Sequence, residues 1–318
     1  MTQTFFLLID AGNSRLKWQL IRHAQQRATT PSSTQVMPEG TPEEMPEGMV
    51  EAAPSAQAQV AAAALLGQAL AAPVITVSNE TVTAEALLTQ WRQALAQQAA
   101  DEASVVRVAW VSVGPAHVRT AVSLALHGLL HTAAAEPLQV VSGLPGLTIT
   151  NRYQHPAQLG ADRWCAALGL AALNYCARGQ THLIVSAGTA TTVDVIAHRS
   201  SGGLEFCGGW ILPGVRLMVE SLQSGTQALD YSLAPEALRT AGVPNESQRA
   251  ITQGVGLAQV GFVAQLAAQH GVSKIWLHGG DAAFWQAALS ALSSSHPPVQ
   301  EIPQLLFAGL AATLGQTQ

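Results

Sequence analysis

The chain has 318 residues, 48% hydrophobic and 11% charged, with a formal net charge of −5, enough apolar material for one large domain or two medium ones. No run of Lys and Arg occurs anywhere, which excludes the clustered positive charge that a nucleic-acid backbone requires. No uninterrupted apolar stretch approaches about 18 residues, so no membrane span is expected.

The N-terminal residues enter a strand pattern at once, with no basic region ahead of an apolar run, so no signal peptide is expected and the chain reads as cytoplasmic. Thr4 to Asp10 forms a nearly continuous apolar run, the pattern of a strand covered on both faces. Leu16 to Ile21 alternates apolar and polar and predicts an antiparallel partner. From Ala24 to Gln59 the composition shifts to Pro, Gln, Ser, Thr, Ala and Glu without periodicity, including MPEG at Met37 and MPEGM at Met45; this reads as an exposed insertion. Val60 to Leu70 predicts a helix that rejoins the fold, so the whole insertion spans about residues 24–70. Strand Val74–Val77, helix Ala84–Gln98 capped by Thr83, strand Val105–Val111, helix His117–Leu130 and strand Leu138–Val141 follow. The second half starts near residue 150 and repeats the plan. It has helix Leu159–Ala177, a strand-loop-strand unit over Leu183–Ile196, a short strand Trp210–Leu212, and a helix opened by Pro213-Gly214 towards Leu222. Helix Ile251–His270 and strand Lys274–Leu277, ending in His278-Gly279-Gly280-Asp281, complete it. Alternating β and α units predict an α/β fold with a mainly parallel sheet, divided into residues 1–150 and 151–318.

Two segments carry the chemistry. Phe6–Leu20 and Leu183–Ile196 superimpose as strand-turn-strand units, with Ala11-Gly12 on Ala187-Gly188, Asp10 on Ser186 and Asn13 on Thr189. Small-residue turns let backbone N–H groups approach an anion. Either turn alone is also an ordinary hairpin; both together, with an acid in the first, favour a duplicated fold that grips one polyphosphate from both sides. Asp10 can hold hydrated Mg²⁺, Asn13 and Ser14 can donate to phosphate, and Lys17 is either a phosphate ligand or an exposed strand residue. Thr189 reads as a phosphate donor, and Thr191, Thr192 and Asp194 as structural or supporting residues. Gly160-Ala161-Asp162-Arg163 opens a helix. It is either capping and dipole pairing, or Asp162 accepts a substrate proton while Arg163 holds an anionic group. Tyr153 and Pro156 would shape a small-molecule pocket beside it. Gly208-Gly209 and Gly279-Gly280 are places where backbone can approach a substrate, a nucleotide base or a dimer edge.

The remaining signals are structural. Cys165, Cys176 and Cys207 form an odd set without metal spacing, which fits reduced thiols, the first two as packing residues in an Ala/Leu-rich helix. His127 and His131 lie one helical turn apart but lack the glutamate of a zinc-protease helix, and read as helix C-terminal residues. No P-loop motif is present.

Taken together, Asp10-x-Gly-Asn-Ser-x-x-Lys17, Tyr153-x-x-Pro-x-x-Leu-Gly-x-Asp-Arg163, Gly188-Thr-Ala-Thr-Thr-x-Asp194, Gly208-Gly-x-Ile-x-Pro-Gly214 and Gly279-Gly280-Asp281 resemble the type III pantothenate kinases. That family lies within the acetate and sugar kinase/heat-shock 70/actin superfamily, and some relatives were described as Bvg accessory factors. The resemblance implies two duplicated ribonuclease H-like (actin-like ATPase) domains with mixed central sheets. It implies ATP-dependent phosphorylation of pantothenate, the first step towards coenzyme A, by a homodimer. Asp162 would be the general base. Asp10, Ala11, Gly12, Asn13, Ser14, Arg15, Leu16 and Lys17 would bind ATP and, through water, Mg²⁺, with Thr189 on the other side of the phosphates. Tyr153, Gly160, Ala161, Asp162, Arg163 and Ser247 would form the pantothenate site, Ser247 standing where the family usually has Thr. Members that need K⁺ or NH₄⁺ commonly carry Asp where this chain has Ser186, so a weaker or altered monovalent-cation site is expected. The competing readings are another small-molecule kinase of the superfamily, such as a sugar kinase, and a regulatory ATP-binding accessory protein. An ATP-driven chaperone would need a peptide-binding domain for which no residues remain.

Overall fold

A computed structural model describes residues 3–23, 56–130, 137–142, 149–225, 232–292 and 296–316. The predicted segment from Ala24 towards Gln59, up to residue 55, and His131 lie outside these residues.

Two mixed sheets are built to one plan. In the first, β1 (Thr4–Ala11) pairs antiparallel with β2 (Arg15–His23), β2 antiparallel with β3 (Ile75–Ser78), and β1 parallel with β4 (Val105–Ser112), which pairs with β5 (Pro137–Gln139). The order is β3-β2-β1-β4-β5. β6 (Ile149–Asn151) then precedes the second set: β7 (Thr181–Ala187), β8 (Ala190–His198), β9 (Leu204–Pro213), β10 (Val272–His278) and β11 (Val299–Glu301). Their order is β11-β10-β7-β8-β9, with β6 added outside β9. Read from its far edge, this repeats the first sheet with β7 to β11 in the places of β1 to β5. The fold is therefore α/β with two ribonuclease H-like units, each around a mixed sheet.

The helices are α1 (Ala56–Ala71), α2 (Ala84–Gln97), α3 (Ala116–Leu130), α4 (Ala161–Leu173), α5 (Val215–Gly225), α6 (Ser247–Gln269), α7 (Ala282–Leu292) and α8 (Leu305–Gln316). α2 starts where expected, with the Thr83 hydroxyl accepting from Ala86 N–H at 3.1 Å, and buries Leu87, Trp91 and Leu95 at four-residue spacing. The sheets part between Gln139 and Ile149. By connectivity, however, α4 completes the first unit as α8 completes the second, and α4 is buried without a break from Arg163 to Ala171, the pattern of an interior helix. α4 and α8 cross each other in the central core. α6 is long and apolar enough to cross a membrane by length and composition. Its Ile251, Val255, Val260, Val263 and Leu266 instead pack in the second unit's core, and Arg249, Gln253 and Gln259 donate to backbone carbonyls of Ala241, Ala237 and Pro213 at 2.7, 2.9 and 2.8 Å.

Several expectations shift. The short strand Trp210–Leu212 is the end of a ten-residue β9. A bulge opposite Val195/Ile196 and a positive φ of 138° at Gly208 interrupt its alternation, which hid it. α4 ends at Leu173 because Asn174 adopts the left-handed conformation, φ 53°. Cys176 therefore lies beyond the helix, though buried like Cys165, while Cys207 is exposed; all three are free thiols. α8 escaped notice because it is apolar all round and shows no stripe.

The α4–α8 crossing depends on glycine. A Cβ on Gly309 would stand 1.9 Å from the Cys165 carbonyl oxygen, and one on Gly169 2.2 Å from that of Leu305. Backbone cannot yield as a side-chain tip can. Gly309→Ala is expected to lower stability by about 3 kcal/mol, seen as a reduced urea midpoint; an unchanged midpoint would show that the helices part freely.

Candidate active site

The first turn joins β1 to β2 and places Asp10 directly opposite Lys17 in the antiparallel register. Gly12 N–H closes the turn on the Arg15 carbonyl at 3.1 Å. The Ala11 carbonyl accepts from Val113 and Gly114 N–H at 3.1 and 2.9 Å, and the Gly12 and Asn13 carbonyls both accept from the Asn79 side-chain amide at 2.9 and 2.7 Å. Asn13, Ser14 and Arg15 are exposed, and among the described residues the N–H groups of Asn13 and Ser14 have no protein acceptor. Leu16, by contrast, is fully buried in the first unit's core, so its side chain serves packing, and its backbone lies in β2 between Ala11 of β1 and Val77 of β3.

The second turn, between β7 and β8, has the same build. Gly188 N–H bonds the Ala190 carbonyl at 3.2 Å, Asp281 N–H bonds that of Ala187 at 3.0 Å, and Gly214 N–H that of Thr189 at 2.9 Å. Gly279, with φ 109°, presses on the turn so closely that a Cβ would stand 2.2 Å from the Ala187 carbonyl oxygen. The expected approach of backbone at Gly279 is thus to the protein's own turn, whereas Gly280 faces open space. The two turns meet: the Ser14 and Thr189 hydroxyls lie 2.7 Å apart. Ser14, Thr189, Lys17 and two free N–H groups form a donor set suited to phosphate, and half-buried Asp10 beside it suits a hydrated Mg²⁺.

α4 brings the third cluster. Asp162 lies in its first turn and accepts from Arg163 N–H at 2.8 Å. Gly160, at the N-cap, leaves room for that carboxylate, since a Cβ would come within 2.7 Å of it. Arg163 is buried: its Nε donates to Asp194 at 3.0 Å, Nη2 donates to the same carboxylate, and Nη1 donates to the Tyr153 hydroxyl at 2.8 Å. The guanidinium also sits 5.6 and 5.7 Å from the rings of Tyr153 and Phe206. Gly209 is what admits this ion pair, because a Cβ there would meet Asp194 at 2.3 Å. Of the Gly208-Gly209 pair, expected to let backbone approach a substrate or a dimer edge, Gly209 thus makes room for the protein's own Asp194, whereas Gly208 faces open space.

The electrostatics join the clusters. Burial pushes the Asp10 carboxyl up to about 6; Lys17 opposes this and the charge of Asp162 adds to it. Burial also raises Asp162, against the Arg163 N–H bond and charge. Burial pushes Asp194 up to about 6, while Arg163 pulls it back, which leaves the pair ionised at neutral pH. His278, in register with Ser186 across β7–β10, is pushed down to about 4 by burial first and Lys17 second, and is therefore neutral. Asp10, Lys17, Asp162 and His278 are thus near enough for their charges to act on one another, with Ser186 beside His278 in the β7–β10 register. Ser247 does not join them: it is the exposed first residue of α6, and no described hydrogen bond links it to the Asp162 cluster. Asn79, Gly114 and His278 escaped the sequence reading, because each is an ordinary strand-end residue until the opposing turn is in place.

The raised Asp10 carries a stability consequence. A carboxylate whose folded pKa exceeds its unfolded value destabilises the fold wherever it is ionised, above about pH 6, and this cost vanishes as pH falls below about 4. Asp10→Asn is therefore expected to stabilise the protein by about 2 kcal/mol at pH 7.5, less towards pH 4, while activity falls. Denaturant titrations of both proteins at pH 7.5 and 4.5 test this; equal stabilities at pH 7.5 would refute it.

The family model described as type III pantothenate kinase matches residues 58–269. The type III pantothenate kinase of Aromatoleum aromaticum is 35% identical over 208 residues, covering 64% of this chain and 77% of that one. That of Azoarcus sp. (strain BH72) is 39% identical over 194 residues, 59% of this chain and 65% of its own. Among solved structures, component A of the Acidaminococcus fermentans (R)-2-hydroxyglutaryl-CoA dehydratase superimposes over 97% of this chain and 95% of its own with a TM-score of 0.50 at 11% identity, a likeness of fold alone. With the family model matched over more than half its length, this chain belongs to the type III pantothenate kinase family.

Proposed function

We propose that the protein transfers the γ-phosphoryl group of ATP to the hydroxyl of pantothenate, forming 4′-phosphopantothenate. The observation that carries the reading at the site is the meeting of two duplicated turns at Ser14 and Thr189, with Asp162 near enough to Asp10 for its charge to act there. Backbone N–H groups of Asn13 and Ser14, the Ser14 and Thr189 hydroxyls and Lys17 would grip the phosphates. Asp10 would hold Mg²⁺ through water, and the ion would supply neutralising charge when bound. Asp162, raised by burial, would take the proton of the attacking hydroxyl. Arg163 keeps two of its five N–H groups beyond those given to Asp194 and Tyr153. These, with Tyr153, Gly160 and Ala161, would orient pantothenate.

The protein is a cytoplasmic homodimer, with the exposed Ile211, Leu217 and Leu257 of the second unit as apolar surface for such a contact, and Ser247 meets substrate only through that assembly. The chain would divide into residues 1–150 and 151–318, close to the point between Gln139 and Ile149 where the sheets part. Ser186 and neutral His278 offer a monovalent cation a poorer site than a carboxylate does. Purified protein with ATP, Mg²⁺ and pantothenate, assayed with and without K⁺ or NH₄⁺, is expected to form phosphopantothenate with a weak response to either cation. No product in any salt would overturn the substrate.

A further inference from the structure

We infer that Asn79 is the positioning residue of the first phosphate turn: its side chain aims the N–H groups of Asn13 and Ser14 outward, towards a bound phosphate. The inference rests on the reading of that turn as a phosphate site.

The geometry is that of a clamp from behind. Asn79 Nδ2 donates to the Gly12 and Asn13 carbonyls at 2.9 and 2.7 Å, and Asn79 N–H to the Ser14 carbonyl at 3.3 Å. In a trans peptide the N–H points opposite to the carbonyl of the preceding residue. Drawing the Gly12 and Asn13 carbonyls back towards Asn79 therefore turns the Asn13 and Ser14 N–H groups forward. Asn79 is 6% exposed, and its Oδ1 is buried with no hydrogen-bond partner. Reversing the amide would set that oxygen against two carbonyl oxygens, so the orphaned acceptor persists as the cost of keeping both donors on the turn. His117 Nε2, on α3, braces the clamp by donating to the Asn79 carbonyl at 3.1 Å.

The duplication offers an internal comparison. Asn79 follows Ser78, which pairs with Arg15; Gly214 follows Pro213, which pairs with Ala190. Asn79 and Gly214 thus occupy the same place in the two units. In the second unit the chain passes so close to the turn that a Cβ on Gly214 would stand 2.1 Å from the Gly188 carbonyl oxygen, and Gly214's own N–H holds the Thr189 carbonyl. In the first unit the Asn79 amide reaches the corresponding carbonyls of Gly12 and Asn13. Both units hold the last carbonyl of the turn with a backbone N–H, and the first adds the Asn79 side-chain amide where the second has no side chain.

Asn79→Asp keeps the shape but replaces the donor with an oxygen that repels both carbonyls. Calorimetry with a non-hydrolysable ATP analogue and Mg²⁺ is expected to show at least about a tenfold loss of affinity. Ligand-observed NMR with adenosine, which lacks phosphates, is expected to show less than about a twofold change. Asn79→Ala removes the donor without adding repulsion and carries the same test if the aspartate variant fails to fold. Unchanged affinity for the analogue would overturn the inference. So would an equal loss for analogue and adenosine, which marks a residue that merely supports the fold. Because the readout is binding, wild-type protein that binds the analogue but phosphorylates no pantothenate would refute the proposed substrate and leave the clamp standing.

Discussion

Asp162→Asn is expected to lower turnover at least about a hundredfold while the affinity for ATP stays within about twofold. The substitution removes the proton acceptor but preserves the shape of the first turn of α4, where one side-chain oxygen still accepts from Arg163 N–H at 2.8 Å. Asp162 lies close enough to Asp10 for its charge to raise that residue, so neutralising it also lets Asp10 ionise more readily. Two signatures therefore separate a base from a mere electrostatic neighbour. Loss of the base lowers turnover at every pH, whereas loss of a neighbouring charge only moves the acid limb of the pH profile downward. Steady-state rates from pH 5.5 to 8.5 distinguish them. Near-normal turnover at pH 7.5 would remove Asp162 from the role.

Asp194→Ala produces the largest expected loss of stability, about 3–5 kcal/mol. Arg163 and Asp194 are 5% and 1% exposed, and removing the acid strands a guanidinium in an apolar surround of Phe206 and Tyr153. The pantothenate KM is expected to rise as well, since Arg163 loses the partner that fixes its fork. A double variant, Arg163→Leu with Asp194→Ala, is expected to recover much of the stability, because a buried ion pair is worth little over well-packed apolar groups. It should not recover activity. Urea unfolding of the three proteins, with pantothenate KM for each, tests both halves. An Asp194→Ala protein as stable as wild type would mean that Arg163 escapes to solvent.

Much of this was legible before any coordinates. The strands around the two turns, the capped helix after Thr83 and the Ala11-Gly12/Ala187-Gly188 correspondence are local patterns: apolar periodicity, cap chemistry and small residues at sharp turns. Each is written within a few neighbouring residues. The resemblance carried by five ordered motifs added the family, and the matched family model agrees with it. α8 was not legible, since a helix buried on all sides has no polar face to betray its period. β9 was not legible because its bulge breaks the alternation that marks a strand.

By itself, then, the sequence determined that the chain is a duplicated α/β protein with two matching small-residue turns and an acid at the head of a helix. Only the tertiary structure decided what each of these touches. It brought Ser14 to Thr189 across 175 positions of chain, committed Arg163 to Asp194 and Tyr153, and set Gly309 of α8 against Cys165 of α4. It also gave Asn79 its hold on Gly12 and Asn13. The physical reason is the same in every case. Secondary structure follows from torsional and hydrophobic preferences of adjacent residues, whereas a hydrogen-bond or ion-pair partner is chosen by which distant groups are buried together and must satisfy one another.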